Sequence, residues 1–114
     1  MRSESLKFLY DILESCRRLR EFTDGKSFAD YEAESLLRAG VERQFEIIGE
    51  ALNRLAKVDI DAAETIPEYR RIIAFGNILI HGYDAISNRV VWDIVKTKLP
   101  GLVERVESLL RGGK

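Results

Sequence analysis

The sequence predicts an all-α fold, an antiparallel bundle of four main helices with a kinked or additional short C-terminal helix. Three observations carry that prediction. Apolar residues recur three and four apart over most of the chain, the period of a helix buried on one face. Only 2 prolines interrupt 114 residues. No stretch alternates apolar and polar residues as a half-buried strand would, and there is no internal repeat or low-complexity tract.

The first helix is marked by Leu6, Leu9, Ile12, Leu13, Cys16, Leu19 and Phe22. Ser3 or Ser5 suits its cap, and Glu4 favours the positive end of its dipole. Thr23-Asp24-Gly25-Lys26-Ser27 breaks the period and reads as a turn. A second helix starts near Asp30 and carries Leu37, Val41, Phe45, Ile48, Leu52 and Leu55. Gly40 and Gly49 lie inside it, each costing about 1 kcal/mol relative to alanine; Gly49 therefore hints at close packing or a dimer contact. Residues 57–66 read as a polar connection with a helical turn at Asp61-Ala62-Ala63-Glu64. Thr65-Ile66-Pro67-Glu68 opens a third helix, since proline suits a first turn, and Gly82 ends it. Ser87 caps a fourth helix through Val90, Val91, Trp92, Ile94 and Val95. Pro100 then bends the chain into a last apolar segment, Leu102 to Leu110.

Length and composition bound the function. At 114 residues the chain is one domain, 1–114, with room for a single core. Lys and Arg number 18 against 19 Asp and Glu, for a net charge of -1, so bulk charge does not steer it to nucleic acid, although a local basic patch can. One cysteine, Cys16, and one histidine, His81, exclude an internal disulfide and a Cys/His metal centre within one chain. No run of roughly 20 apolar residues exists to span a bilayer, and the N-terminal residues interleave charge with apolar groups unlike a secretory signal. The expectation is a soluble cytoplasmic protein with no membrane role.

Chemistry concentrates in Phe75-Gly76-Asn77-Ile78-Leu79-Ile80-His81-Gly82-Tyr83-Asp84. Asn77 and His81 are four residues apart and share a helix face. Tyr83 follows the helix-ending Gly82, where the chain is free to turn. Imidazole titrates near neutrality and serves as acid or base. The plainer alternative is a histidine that favours the negative end of a helix dipole.

These residues, with Phe45-Glu46-Ile47-Ile48-Gly49-Glu50-Ala51, Ile66-Pro67, Val91-Trp92-Asp93-Ile94 and Leu99-Pro100-x-Leu102, resemble the HepT-type HEPN domain over nearly the whole chain. The resemblance implies an α-helical HEPN-like homodimer, the toxin of a toxin–antitoxin pair. It implies metal-independent cleavage of RNA, tRNA or mRNA, with no cofactor. The implied partner is a minimal nucleotidyltransferase antitoxin that neutralises the toxin by AMP transfer to a tyrosine, here Tyr83. The family pattern is Arg-Asn, three residues, His, one residue, Tyr. Asn77, His81 and Tyr83 match it; Gly76 stands where the arginine would align.

That departure bears on rate. Attack by a ribose 2′-OH needs a base, an acid for the leaving oxygen, and donors for charge building on phosphorus. Arginine is the natural donor, and losing one such group costs on the order of 10²–10³ in rate. Arg70, Arg71 and Arg89 are near in sequence, but Arg71 lies about 280° around a helix from His81 and is poorly placed, and no compensation is expected. The expectation is a weakened or inactive chain. If two imidazoles are needed, they must come from two subunits across a two-fold axis near His81. Glu50, near the apolar face of the second helix, is a candidate to orient His81 or a partner's arginine, or else a solvated carboxylate. The Arg17-Arg18-x-Arg20 cluster reads as a solvated face rather than a phosphate contact, Cys16 as core, and Trp92 as core or dimer anchor. The reading that competes with catalysis is a non-catalytic module that docks a nucleotidyltransferase or a nucleotide.

Overall fold

A computed structural model describes residues 1–82 and 84–112, and the described residues hold seven helices and no strand. The first expected helix is α1 (Ser3–Thr23). Its buried stripe of Leu9, Ile12, Cys16 and Leu19 is fully excluded from solvent. The second divides in two. A capping box opens α2 (Phe28–Ala33): the Asp30 N–H donates to Ser27 Oγ at 3.1 Å, and the Ser27 N–H donates to Asp30 Oδ2 at 2.9 Å. Glu34 then leaves helical geometry (φ −103°, ψ 97°) before α3 (Ser35–Val58) runs for 24 residues. The Glu34 carboxylate takes Lys26 Nζ at 3.2 Å, a tie from the break to the preceding turn.

The expected turn at residues 61–64 is α4 (Ile60–Glu64), capped by Asp59, whose Oδ1 accepts the Ala62 N–H at 3.1 Å. The other Asp59 oxygen accepts the hydroxyl of buried Ser5 at 3.0 Å, pinning this corner to the start of α1. Next come α5 (Tyr69–His81), α6 (Asn88–Thr97), capped by Ser87 through the Val90 N–H at 3.2 Å, and α7 (Leu99–Leu110), with Pro100 in its first turn. The Pro100 interruption thus gives an additional C-terminal helix.

Pro67 does not begin α5. The helix starts two residues later, because Glu68 takes a left-handed conformation (φ 59°). Such a conformation costs a residue with a Cβ about 1–2 kcal/mol. Two hydrogen bonds to the Glu68 carboxylate hold it, from Arg71 Nη1 and from Lys98 Nζ, each at 3.1 Å.

The core forms where α1 lies along α3. Leu9, Ile12, Cys16 and Leu19 meet Val41, Ile48, Leu52 and Leu55, all fully buried. α7 closes over α1, and α6 packs on α7 and α2. Trp92 of α6 is buried in this chain beside Tyr31 of α2, ring centroids 5.4 Å apart, so it is a core residue. On the opposite flank of α3 sits α5. The two helices cross at a pair of glycines: a Cβ on Gly76 would stand 3.1 Å from the Phe45 carbonyl oxygen and 3.3 Å from the Gly49 Cα. The close packing expected of Gly49 is met by Gly76.

Candidate active site

α5 rests on α3 through Gly76, Leu79 and Tyr69, which are buried. Its other side is open. At 100° per residue, Arg70, Ala74, Asn77 and His81 fall within about 60° of one another on that outer side. All four are exposed. Ile78 and Ile80 beside them keep 40% and 46% of their surface, so nothing in the described chain covers this end of the helix. Gly82 ends the helix, its N–H donating to the Ile78 carbonyl at 2.7 Å. His81 therefore sits in the last turn of α5.

The structure separates the sequence-derived candidates. Asn77 and His81 share an exposed face, as their spacing requires. Gly76 lies on the far side of α5, buried against the backbone of α3. A side chain at 76 would begin its path at the Phe45 carbonyl, not beside His81. Tyr83 lies outside the described residues. Glu50 is exposed, and its carboxylate accepts from Arg54 Nε of its own helix at 2.9 Å. Glu50 and Arg54 line a shallow groove toward α1 with Lys7 and Asp11, and no hydrogen bond joins Glu50 to His81 among the described residues.

The N-terminal arginines are occupied. Arg17 pairs with Glu14 and Glu21, and Arg18 reaches Glu14 at 3.4 Å. The guanidinium of Arg17 beside Glu14 holds that carboxyl below its usual range. Cys16 is fully buried, and burial pushes its thiol up to about 12, so it remains protonated and unreactive at neutral pH. No cluster of three or more His, Cys, Asp or Glu able to hold a metal occurs among the described residues, and none of their helices is long and apolar enough to cross a membrane.

One feature gave no signal in the sequence. An apolar cavity of about 360 Å³ opens between the start of α5 and the α6–α7 corner, lined by Phe45, Ile66, Ile72, Phe75, Leu99 and Leu102. Glu68, Arg71 and Lys98 stand at the same cavity. It is built by residues distant in sequence, and it lies on the side of α5 turned from His81, since Ile72 and Phe75 fall about 120–180° around the helix from that residue.

A family model described as "Ribonuclease HepT-like" matches residues 12–109. Among curated proteins, the chain is similar to two from Methanocaldococcus jannaschii, each named "Putative RNase". One is 36% identical, over 88% of this chain and 91% of the relative. The other is 31% identical, over 91% and 85%. It is also similar to a Thermococcus cleftensis protein named "Probable ribonuclease HepT", 32% identical over 96% of this chain and 98% of the relative. No solved structure matches the chain.

Proposed function

The chain belongs to the HepT-like ribonuclease family, and we propose that it is an RNA-cleaving toxin, cytoplasmic and dimeric, with His81 and Asn77 at its site. One observation supports this above the others: Asn77 and His81 stand together on the one face of α5 that no other part of the described chain covers. A polar pair at the end of an apolar helix is free to meet a phosphodiester there. In the proposed reaction the His81 imidazole takes the proton of the ribose 2′-OH. That oxygen attacks the adjacent phosphorus, the 5′-oxygen leaves, and a 2′,3′-cyclic phosphate forms. The leaving oxygen receives a proton from a second imidazole, the His81 of a second copy across a two-fold axis, so dimerisation completes one shared pocket. Asn77 donates its amide N–H to a phosphate oxygen. With glycine at 76 the chain lacks the family's guanidinium donor, and its rate falls on the order of 10²–10³ below that of an arginine-bearing relative.

The proposed partner is a minimal nucleotidyltransferase that moves AMP from ATP to the Tyr83 hydroxyl. A phosphodiester charge two residues from His81 would repel an RNA phosphate. The competing reading, a module that only docks the nucleotidyltransferase or a nucleotide, draws on the absence of a donor at 76.

The test is RNA cleavage by the purified dimer in excess chelator, with His81→Ala alongside. Expected are chelator-resistant cleavage, cyclic phosphate ends, and loss of at least about 10² in rate in the variant. Equal cutting by His81→Ala, or a stable monomer in solution, ends the reading. Incubation with the nucleotidyltransferase and ATP should add AMP mass at Tyr83; a well-formed complex with no added mass favours plain docking.

A further inference from the structure

We propose that Arg70 is an RNA-phosphate contact of the same site, and that the strand runs along the outer face of α5 from His81 past Asn77 and Ala74 to Arg70. The proposal rests on the ribonuclease reading above and adds the path its substrate takes.

Four observations carry it. First, α5 is one unbroken helix from Tyr69 to His81. Eleven residues turn it through three revolutions plus about 20°, so the Cα–Cβ bonds of Arg70 and His81 leave the helix on the same side, roughly 16 Å apart along the axis. Second, of the seven helices α5 is the one whose sequence has no Asp or Glu: YRRIIAFGNILIH carries two arginines and no carboxylate. In a chain with 19 acidic residues, the helix that presents His81 is the one free of negative charge. Third, Arg70 makes no ion pair among the described residues, whereas its neighbour Arg71 points about 100° away and donates to Glu68 Oε1 at 3.1 Å. The Arg70 guanidinium instead lies over the ring of buried Tyr69, 5.3 Å from its centroid, which orients it without neutralising it. Fourth, Ala74 and Asn77 between the two ends are exposed, with short side chains that leave the track open.

At that distance Arg70 cannot touch the reacting phosphate. It meets a phosphate further along the strand, so it governs binding and not chemistry. Arg70 is thus a positive group on the same face as His81.

The experiment measures binding of a labelled, single-stranded RNA of mixed sequence to the His81→Ala dimer, which does not consume it, across a salt series. Arg70→Ala should weaken binding about tenfold at low salt, the scale of one lost charge-assisted hydrogen bond. It should also make the salt dependence shallower by about 0.7 per contact. Arg70→Lys should keep most of both, and Arg71→Ala should match the parent. In the cutting assay with His81 intact, Arg70→Ala should raise KM and leave kcat within about twofold. Unchanged affinity and salt slope in Arg70→Ala, from a chain that cuts RNA, removes Arg70 and leaves the ribonuclease reading standing. A fall in kcat at constant KM, or loss of the dimer, also overturns the contact. A parent chain that neither binds nor cuts RNA ends both proposals.

Discussion

α1 and α5 flank the same helix, α3, and are bound to it in opposite styles. α1 meets α3 through large aliphatic side chains that leave no accessible surface at Leu9, Ile12, Leu19, Ile48, Leu52 and Leu55. α5 meets it backbone to backbone at Gly76 and Gly49, and keeps its outer side bare. The first contact stabilises through buried apolar area. The second gives up most of that area at the crossing and gains closeness, so that a short helix is held firmly from behind while Asn77, His81 and Arg70 remain available. Stability and the proposed chemistry thereby fall on different flanks, and substitutions should divide along the same line.

The largest stability effect is expected on the α1 flank. Ile48→Ala should lose about 2–5 kcal/mol, the transfer term plus the cavity left in a packed core. His81→Ala should change stability by no more than about 0.5 kcal/mol, since the side chain is exposed in the last turn of its helix. Urea unfolding of both variants checks this, and comparable losses would show that His81 is a packing residue. The same division protects Cys16, whose buried thiol should resist alkylation until α1 leaves α3.

Gly76→Ala should fall between those two. The added methyl meets the Phe45 carbonyl at 3.1 Å, backbone that cannot swing aside, so α5 must lift by a few tenths of an ångström. Overpacking of about 1–3 kcal/mol, less about 1 kcal/mol of helix propensity, leaves a net loss of up to about 2 kcal/mol. Gly101 of α7 gives the opposite sign. A Cβ there meets nothing within 4 Å, and Gly101→Ala should stabilise by about 0.5–1 kcal/mol. A gain at both positions would mean that the α3–α5 crossing is loose and that its glycines are incidental.

What the residues disclosed in advance follows the same flanks. The α1 stripe and the long apolar run of α3 are periodic, so their helices and their mutual core could be read directly. The shared face of Asn77 and His81 needed only their spacing. The break at Glu34 could not be read, because Ala33-Glu34-Ser35 contains no glycine or proline; it depends on Ser27 capping α2 and on Lys26 reaching Glu34. The start of α5 was misjudged at Pro67, because the left-handed Glu68 is held partly by Lys98, thirty residues away. Gly49 announced a close approach, but its partner Gly76 was read for its alignment with an arginine, and only the folded chain shows that the position faces α3. Arg70 stands in the sequence beside Arg71, but its shared face with His81 follows only once α5 is seen to run unbroken from Tyr69 to His81.

The smallest effect tests whether the α5 side of α3 is free of penalty apart from its bare face. Glu42 lies on α3 seven residues before Gly49, on the same side of the helix. Burial, and then the Glu46 carboxylate, push its pKa above the ordinary value, with Arg38 pulling the other way. The folded state therefore binds this proton more tightly than the unfolded state does. Stability is greatest below the ordinary carboxylate range, declines as pH rises through the raised value, and carries the full penalty at pH 7. Glu42→Gln should remove that penalty, raising stability at pH 7 by under about 0.5 kcal/mol, the scale of a surface change. Near pH 4 the variant and parent should converge. Thermal unfolding at the two pH values reads the difference, and an equal shift at both would place the effect in packing rather than in charge.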